Sequence, residues 1–176
     1  MNSKKILFLF LALLLPVVVF LFLKGFGKNE FNVPPMFQDV IESPEDCTSF
    51  EYITPYIISD SIMSRLSWSK HDSLTLIVFN DTSEEASNKK LVQIDRLRVE
   101  FPTEKLNVVT STEVMFKSCI FLLKATDNAV MMDSKRRIRG QYNLTDLDEA
   151  DRLIMEVKII LKEILNIFST LLITRS

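Results

Sequence analysis

Hydrophobic and polar positions change period several times along this chain, and each change predicts an element. From Ile6 to Leu23, ILFLFLALLLPVVVFLFL, 18 residues pass without a charge behind Lys4 and Lys5, about the length at which a helix crosses a hydrocarbon core. The segment LKGFGKNEF that follows has neither a small-residue cleavage pattern nor a lipid-bearing cysteine, so residues 1–25 read as an uncleaved membrane anchor. Pro16 is tolerated there because neighbouring groups can satisfy the freed carbonyl. Lys24 and Lys28 nearly match the basic residues at the start, so charge leaves the orientation open. Residues 26–46 hold Pro34, Pro35 and Pro44 among polar and acidic residues; with no sustained period, they read as a tether.

Residues 47–170 carry the folded domain. EYITPYIISDS, Glu51–Ser61, is β-rich but interrupted by Pro55, which suits an edge strand or an irregular lead-in. SLTLIVF, Ser73–Phe79, is a nearly continuous apolar run and predicts the central strand of a sheet covered on both faces. In SEEASNKKLVQIDRLRVEF, Leu91, Ile94, Leu97 and Val99 recur at helical spacing, Glu84 and Glu85 occupy the first turn, and Pro102 ends the run. KLNVVTS then supplies a second strand, and strand, helix, strand in so short a span is a βαβ unit with parallel strands. CIFLL from Cys119 and NAVMM from Asn128 are further apolar runs, the latter facing RIRGQY across a polar turn, Asp133–Arg136, as in an antiparallel hairpin. Thr145 or Asp146 caps a long helix, with Asp148 or Glu149 completing a capping box. Ala150, Leu153, Ile154, Val157, Ile160, Leu161 and Ile164 give that helix one apolar stripe. The tail ILNIFSTLLITRS reads as the end of this packed helix, since Lys158, Lys162 and Glu163 interrupt any longer apolar window.

Composition narrows the function. In 176 residues, 21 Lys and Arg nearly balance 23 Asp and Glu, against a nucleic-acid-binding protein, which needs a net basic footprint. Three glycines in the whole chain leave no material for a glycine-rich phosphate cradle, so nucleotide binding is not expected.

The predicted order is a central strand and crossover helix, a parallel strand, then a hairpin and a terminal helix. That is the order of a thioredoxin-like α/β fold: a central sheet with flanking helices and a C-terminal hairpin and helix, here behind an N-terminal transmembrane helix. Within it, VMMDSKRRIRGQYNLTDLDEADRLIMEVKIIL resembles the C-terminal part of the SCO/SenC family, which typically carries there a strand, VD, GRIRGYYDGTD and an acidic helix start. The anchor, the proline-bearing tether and the PYIISDS segment are similar to that family as well. The resemblance implies a single-pass protein of the cell membrane with its domain on the periplasmic or extracytoplasmic side. It also implies the membrane, and respiratory oxidase subunits or other assembly factors, as partners. Members bind copper and help to mature the copper site of cytochrome c oxidase, using a C-x-x-x-C pair after the central strand and a histidine before the hairpin; soft thiolates and an imidazole suit copper(I).

At those positions this chain departs from the family. Ser83 and Ser87 stand at the cysteine spacing, a register shifted by one gives Thr82 and Ala86, and the histidine position falls near Ala125. None of these side chains is a copper(I) ligand. The expectation is therefore an SCO-like protein with no catalytic residues, no metal site and no cofactor, acting as an accessory or scaffold in oxidase assembly. The alternative is a divergent copper chaperone or thiol-disulfide protein using Cys47 and Cys119, with copper as its cofactor.

The remaining candidates each have a structural counterpart. His71 precedes the central strand and reads as solvated, since a metal site needs several converging ligands. Cys47 and Cys119 lack C-x-x-C spacing; they form either a structural disulfide or two separate thiols. Lys135, Arg136, Arg137 and Arg139 make a possible docking surface for an acidic protein face or anionic lipid, or else a solvated turn whose charges meet nearby carboxylates. Asn143 in NLT matches a glycosylation acceptor but also suits the turn and helix cap. Met131 and Met132 are adjacent strand residues, so they point to opposite faces and do not share a metal.

Overall fold

The computed structural model describes residues 3–26, 32–39, 41, 44, 47, 50–66, 68, 73–80 and 83–173. His71 and Thr82 lie outside the described residues. The chain divides into two compact units, Met1–Phe31 and Asn32–Ser176. In the first, α1 runs from Ser3 to Phe26, 24 residues with Pro16 inside. Among the described residues, no helix is long and apolar enough to cross a membrane; the side chains described in α1 are those of Lys4, Lys5, Phe10 and residues 12–22.

The second unit is mixed α/β. Its elements are α2 (Asp60–Arg65), β1 (Leu74–Phe79), α3 (Glu84–Glu100), β2 (Leu106–Ser111), a π-helical turn (Phe116–Ile120), β3 (Ala129–Asp133), β4 (Ile138–Tyr142) and α4 (Leu147–Ile173). The four strands form one sheet in the order β2-β1-β3-β4. β1 and β2 are parallel, as a crossover through α3 requires. β3 returns antiparallel to β1, and β4 antiparallel to β3. The expected central strand is therefore internal, and all six of its residues are buried. Glu51–Ser59 forms no strand and leads irregularly into α2.

The sheet has two differently covered faces. On the helical face, Leu74, Leu76, Val78, Met131 and Tyr142 pack with Ile94 and Leu97 of α3 and with Leu153, Val157 and Ile160 of α4. On the loop face, Ile77, Phe79, Val130, Met132 and Ile138 pack with Ile58, Met63, Leu66, Phe116, Ile120, Phe121 and Leu123, and beyond them with Met36, Phe37, Tyr56 and Trp68. Met131 and Met132 fall on opposite faces, as strand alternation demands. The apolar stripe expected on α3 is corrected in part: Ile94 and Leu97 are buried, but Leu91 is 54% exposed and Val99 is 89% exposed. Lys90 and Phe101 are buried instead, because the face that meets the sheet is rotated from the one that the apolar residues alone suggest. The apolar run CIFLL begins inside the π-helical turn, which Cys119 and Ile120 end.

One extra residue in β4 sets the alternation beyond it. Met131 pairs with Gly140 and Met132 with Ile138, so Arg139 is a bulge. Ile138 consequently faces the loop side, whereas Tyr142 faces the helical side.

Candidate functional site

The positions where the resemblance would put copper ligands lie just beyond the carboxyl end of β1. There Ser83 is the N-cap of α3, its hydroxyl accepting the Ala86 N–H at 3.2 Å, and the Ser87 hydroxyl donates to the Ser83 carbonyl at 3.0 Å. A serine hydroxyl at this place satisfies one of the helix's orphan N–H groups. Behind the cap, the 3% exposed Lys90 reaches back to donate to the Phe79 carbonyl at the end of β1. The sequence reading missed this buried lysine, whose only signal is its place one residue before Leu91. Ala125 lies in an exposed turn before β3. Among the described residues, no group of three or more His, Cys, Asp or Glu side chains is placed to hold a metal ion.

Cys47 and Cys119 are joined by a disulfide, with Cα atoms 5.4 Å apart. Both are buried, at 1% and 5% exposure. Cys119 closes the π-helical turn, so the bond ties the segment near Cys47 onto the loop face. Two tyrosines reinforce the same junction: the Tyr52 hydroxyl donates to the Cys119 carbonyl and the Tyr56 hydroxyl to the Ile120 carbonyl, each at 2.9 Å. Burial, with Tyr52 nearby, pushes the Tyr56 phenol up to about 12.

The basic cluster of the hairpin is divided: Arg139 is buried, Arg136 and Arg137 are half-buried and Lys135 is exposed. Asp133 closes the turn: its Oδ1 accepts the backbone N–H of Lys135 at 2.9 Å and of Arg137 at 3.1 Å, while Oδ2 accepts from the Arg137 guanidinium at 2.6 and 2.9 Å. Arg139 corrects the expected docking surface. It is 8% exposed and lies between Asp133, at 3.3 Å, and Glu163 of α4, at 2.9 Å. The bulge is the cause, since it takes Arg139 out of the ladder. Arg139 also donates to the Val33 carbonyl, and the Val33 N–H donates to Glu163 at 3.2 Å; this fixes the start of the folded unit against α4. Arg136 pairs with Asp60 at 2.8 Å. Lys135 is the exposed member at the tip.

Beyond the hairpin, a cleft of about 680 Å³ runs between β4 and the start of α4, lined by Lys124, Asp127, Arg139, Gln141, Asn143, Glu149, Arg152 and Glu156 among others. The Tyr142 hydroxyl donates to Glu156 at 2.6 Å, and the Arg152 guanidinium lies 4.6 Å from the ring centre while reaching Glu149, Glu156 and the Gln141 carbonyl. Burial, helped by the adjacent Glu156 carboxylate, raises the Tyr142 phenol far above its ordinary value. Gly140 makes room for this ring, since a Cβ there would meet the Tyr142 hydroxyl at 2.1 Å. Asn143 serves the turn: its Oδ1 accepts from the Thr145 N–H at 3.0 Å, and Asp146 caps α4 through the Asp148 N–H at 2.9 Å. Glu149 pairs with Arg152. No family model, curated protein or solved structure matches the chain.

Proposed function

We propose that this chain is a membrane-anchored, SCO-like protein without copper or redox chemistry, acting as an accessory or scaffold in cytochrome c oxidase assembly. The observation that carries the reading is the use made of Ser83 and Ser87. Where the resemblance calls for two thiolates, their hydroxyls cap α3 and bond to its first turn, a role that asks for no metal. The order strand, helix, strand, hairpin and helix supports a thioredoxin-like assignment, with the resembling segment supplying the hairpin and α4. The disulfide supports an oxidising compartment on the far side of the cytoplasmic membrane, and the charge-free run Ile6–Leu23 supports an anchor. Docking through the hairpin falls to Lys135 with Arg136, since Arg139 is internal. The copper-chaperone alternative would require the Cys47–Cys119 bond to open before either sulfur could serve as a ligand.

The test uses the full chain purified in detergent without reductant. The reading expects no stoichiometric copper(I) after loading, together with capture of oxidase subunits or assembly factors that weakens in a Lys135→Glu variant. One copper per chain, lost in Cys47→Ser or Cys119→Ser, would establish the alternative. Capture of no respiratory component would overturn the scaffold reading.

A further inference from the structure

α4 is longer than the sheet it covers. Strands of five or six residues make a sheet about 20 Å deep, whereas the 27 residues of Leu147–Ile173 make a helix about 40 Å long. The buried stripe Ala150, Leu153, Val157 and Ile160 uses only the first half of it. Glu163 fixes the direction of the excess. It pairs with Arg139 near the start of β4, at the end of the sheet where Leu74, Leu106 and Asp133 lie side by side. From Glu163 to Ile173 the helix runs on for about 15 Å past that pair, and Leu165, two residues on, is 61% exposed.

These last turns are apolar by sequence. Ile164–Thr174, ILNIFSTLLIT, carries no charge, and Ile164, Phe168 and Leu171 keep the helical spacing of the stripe that packs on the sheet. An apolar stripe that outruns its sheet is stabilised only by another apolar medium. The acid at the exit, Glu163, is held inward by Arg139 and by the Val33 N–H at 3.2 Å. The exposed Lys162 is left at the base of the segment.

The course of the chain selects the medium. Val33, clipped to Glu163 and Arg139, opens the folded unit, and six residues lie between it and Phe26, the last residue of α1. A chain of that length reaches at most about 25 Å when fully extended. α4 therefore leaves the sheet at the point to which the charge-free run Ile6–Leu23 leads. We propose that Leu165–Ile173 sits at the boundary of head groups and acyl chains in the membrane that holds residues 1–25, as a second attachment of the domain to lipid. The inference rests on the reading of residues 1–25 as an anchor. Nine residues are too few to cross a bilayer but enough to enter its interface, with Lys162 at the level of anionic head groups.

The experiment uses the full chain in vesicles of phosphatidylcholine and phosphatidylglycerol, without reductant, so that the bridged Cys47 and Cys119 take no label. A polarity-sensitive fluorophore is attached to Val18→Cys, Met155→Cys, Phe168→Cys or Leu171→Cys. Labels at positions 18, 168 and 171 should shift to the blue and lose fluorescence to nitroxide-bearing lipid, whereas the label at 155, on the exposed face within the domain, should lose it to aqueous iodide. Lipid quenching at 18 with iodide quenching at both 168 and 171 would overturn this inference and leave the anchor reading standing. Labels at 168 and 171 shielded from lipid and iodide alike would show protein there, such as a second copy, and would also overturn it. Iodide quenching at 18 would remove the anchor reading and the inference together.

Discussion

The two faces of the sheet are closed by opposite means. On the helical face, α3 and α4 supply regular stripes, and two ion pairs join the last turns of α3 to the first half of α4: Arg96 with Asp151 at 2.7 Å and Glu100 with Lys158 at 2.7 Å. On the loop face, cover comes from one short helix, a π-helical turn and irregular segments, held by a disulfide and by tyrosine hydroxyls on carbonyls. A helix satisfies its own backbone groups, so burying it needs only an apolar stripe. Irregular chain must find partners for each buried group. That is why the loop face needs a covalent tie and the helical face does not.

The difference can be broken first at the disulfide. Replacing both Cys47 and Cys119 by serine should cost about 4 kcal/mol on the loop-closure model, read by denaturant unfolding against the oxidised protein. Hydrogen exchange should rise mainly in residues 50–66 and 116–123, leaving α4 protected. Next, Leu153→Ala, at a fully buried position of α4, should cost about 3 kcal/mol and lower protection throughout the sheet, because that face is one cooperative layer. Gly140→Ala should cost about 2 kcal/mol: the new methyl displaces the Tyr142 ring from Glu156 and Arg152, which tyrosine fluorescence would report. Tyr56→Phe has the smallest effect, about 1 kcal/mol for the bond to the Ile120 carbonyl. It also sharpens the pH response. With the folded phenol pushed up to about 12 and the unfolded one at about 10, this contribution is complete below about pH 10 and is lost as pH rises through about 12. The alkaline limb of an unfolding titration should therefore flatten in Tyr56→Phe.

The same contrast decides what could be read from the sequence. β1, β2, the hairpin and α4 were legible because period and capping residues carry them; Ala150, Leu153, Val157 and Ile160 are all buried as their spacing predicts. α3 was legible as a helix, but Val99 was placed on its buried face because hydrophobicity alone was used, whereas Lys90 threads its stem inward and bonds at the tip. The loop face was not legible. Met36, Phe37, Tyr56, Ile58 and Trp68 follow no period, and CIFLL has the composition of a strand while ending a π-helical turn. For the candidate site, Ser83 and Ser87 stand at the spacing of the resemblance's cysteines and their identity removes the thiolates, but neither spacing nor identity told that they serve the start of a helix together. The charges near the hairpin were visible, yet the inward course of Arg139 depends on a bulge that composition does not announce. The Tyr142, Glu156 and Arg152 group was missed because Tyr142 lies on β4 and the other two on α4, with only Gly140 two residues upstream of Tyr142 as a clue.

The single inserted residue in β4 also works as a phase marker. Upstream of Arg139 one parity of the strand serves the loop side; downstream the same parity serves the helical side. Any relative of this chain must either keep that one-residue offset or invert the polarity of everything from Gly140 to Tyr142. Sequences that lack the bulge yet align here without a gap should therefore exchange hydrophobic and amide positions beyond it, whereas those that align after a one-residue gap should keep them.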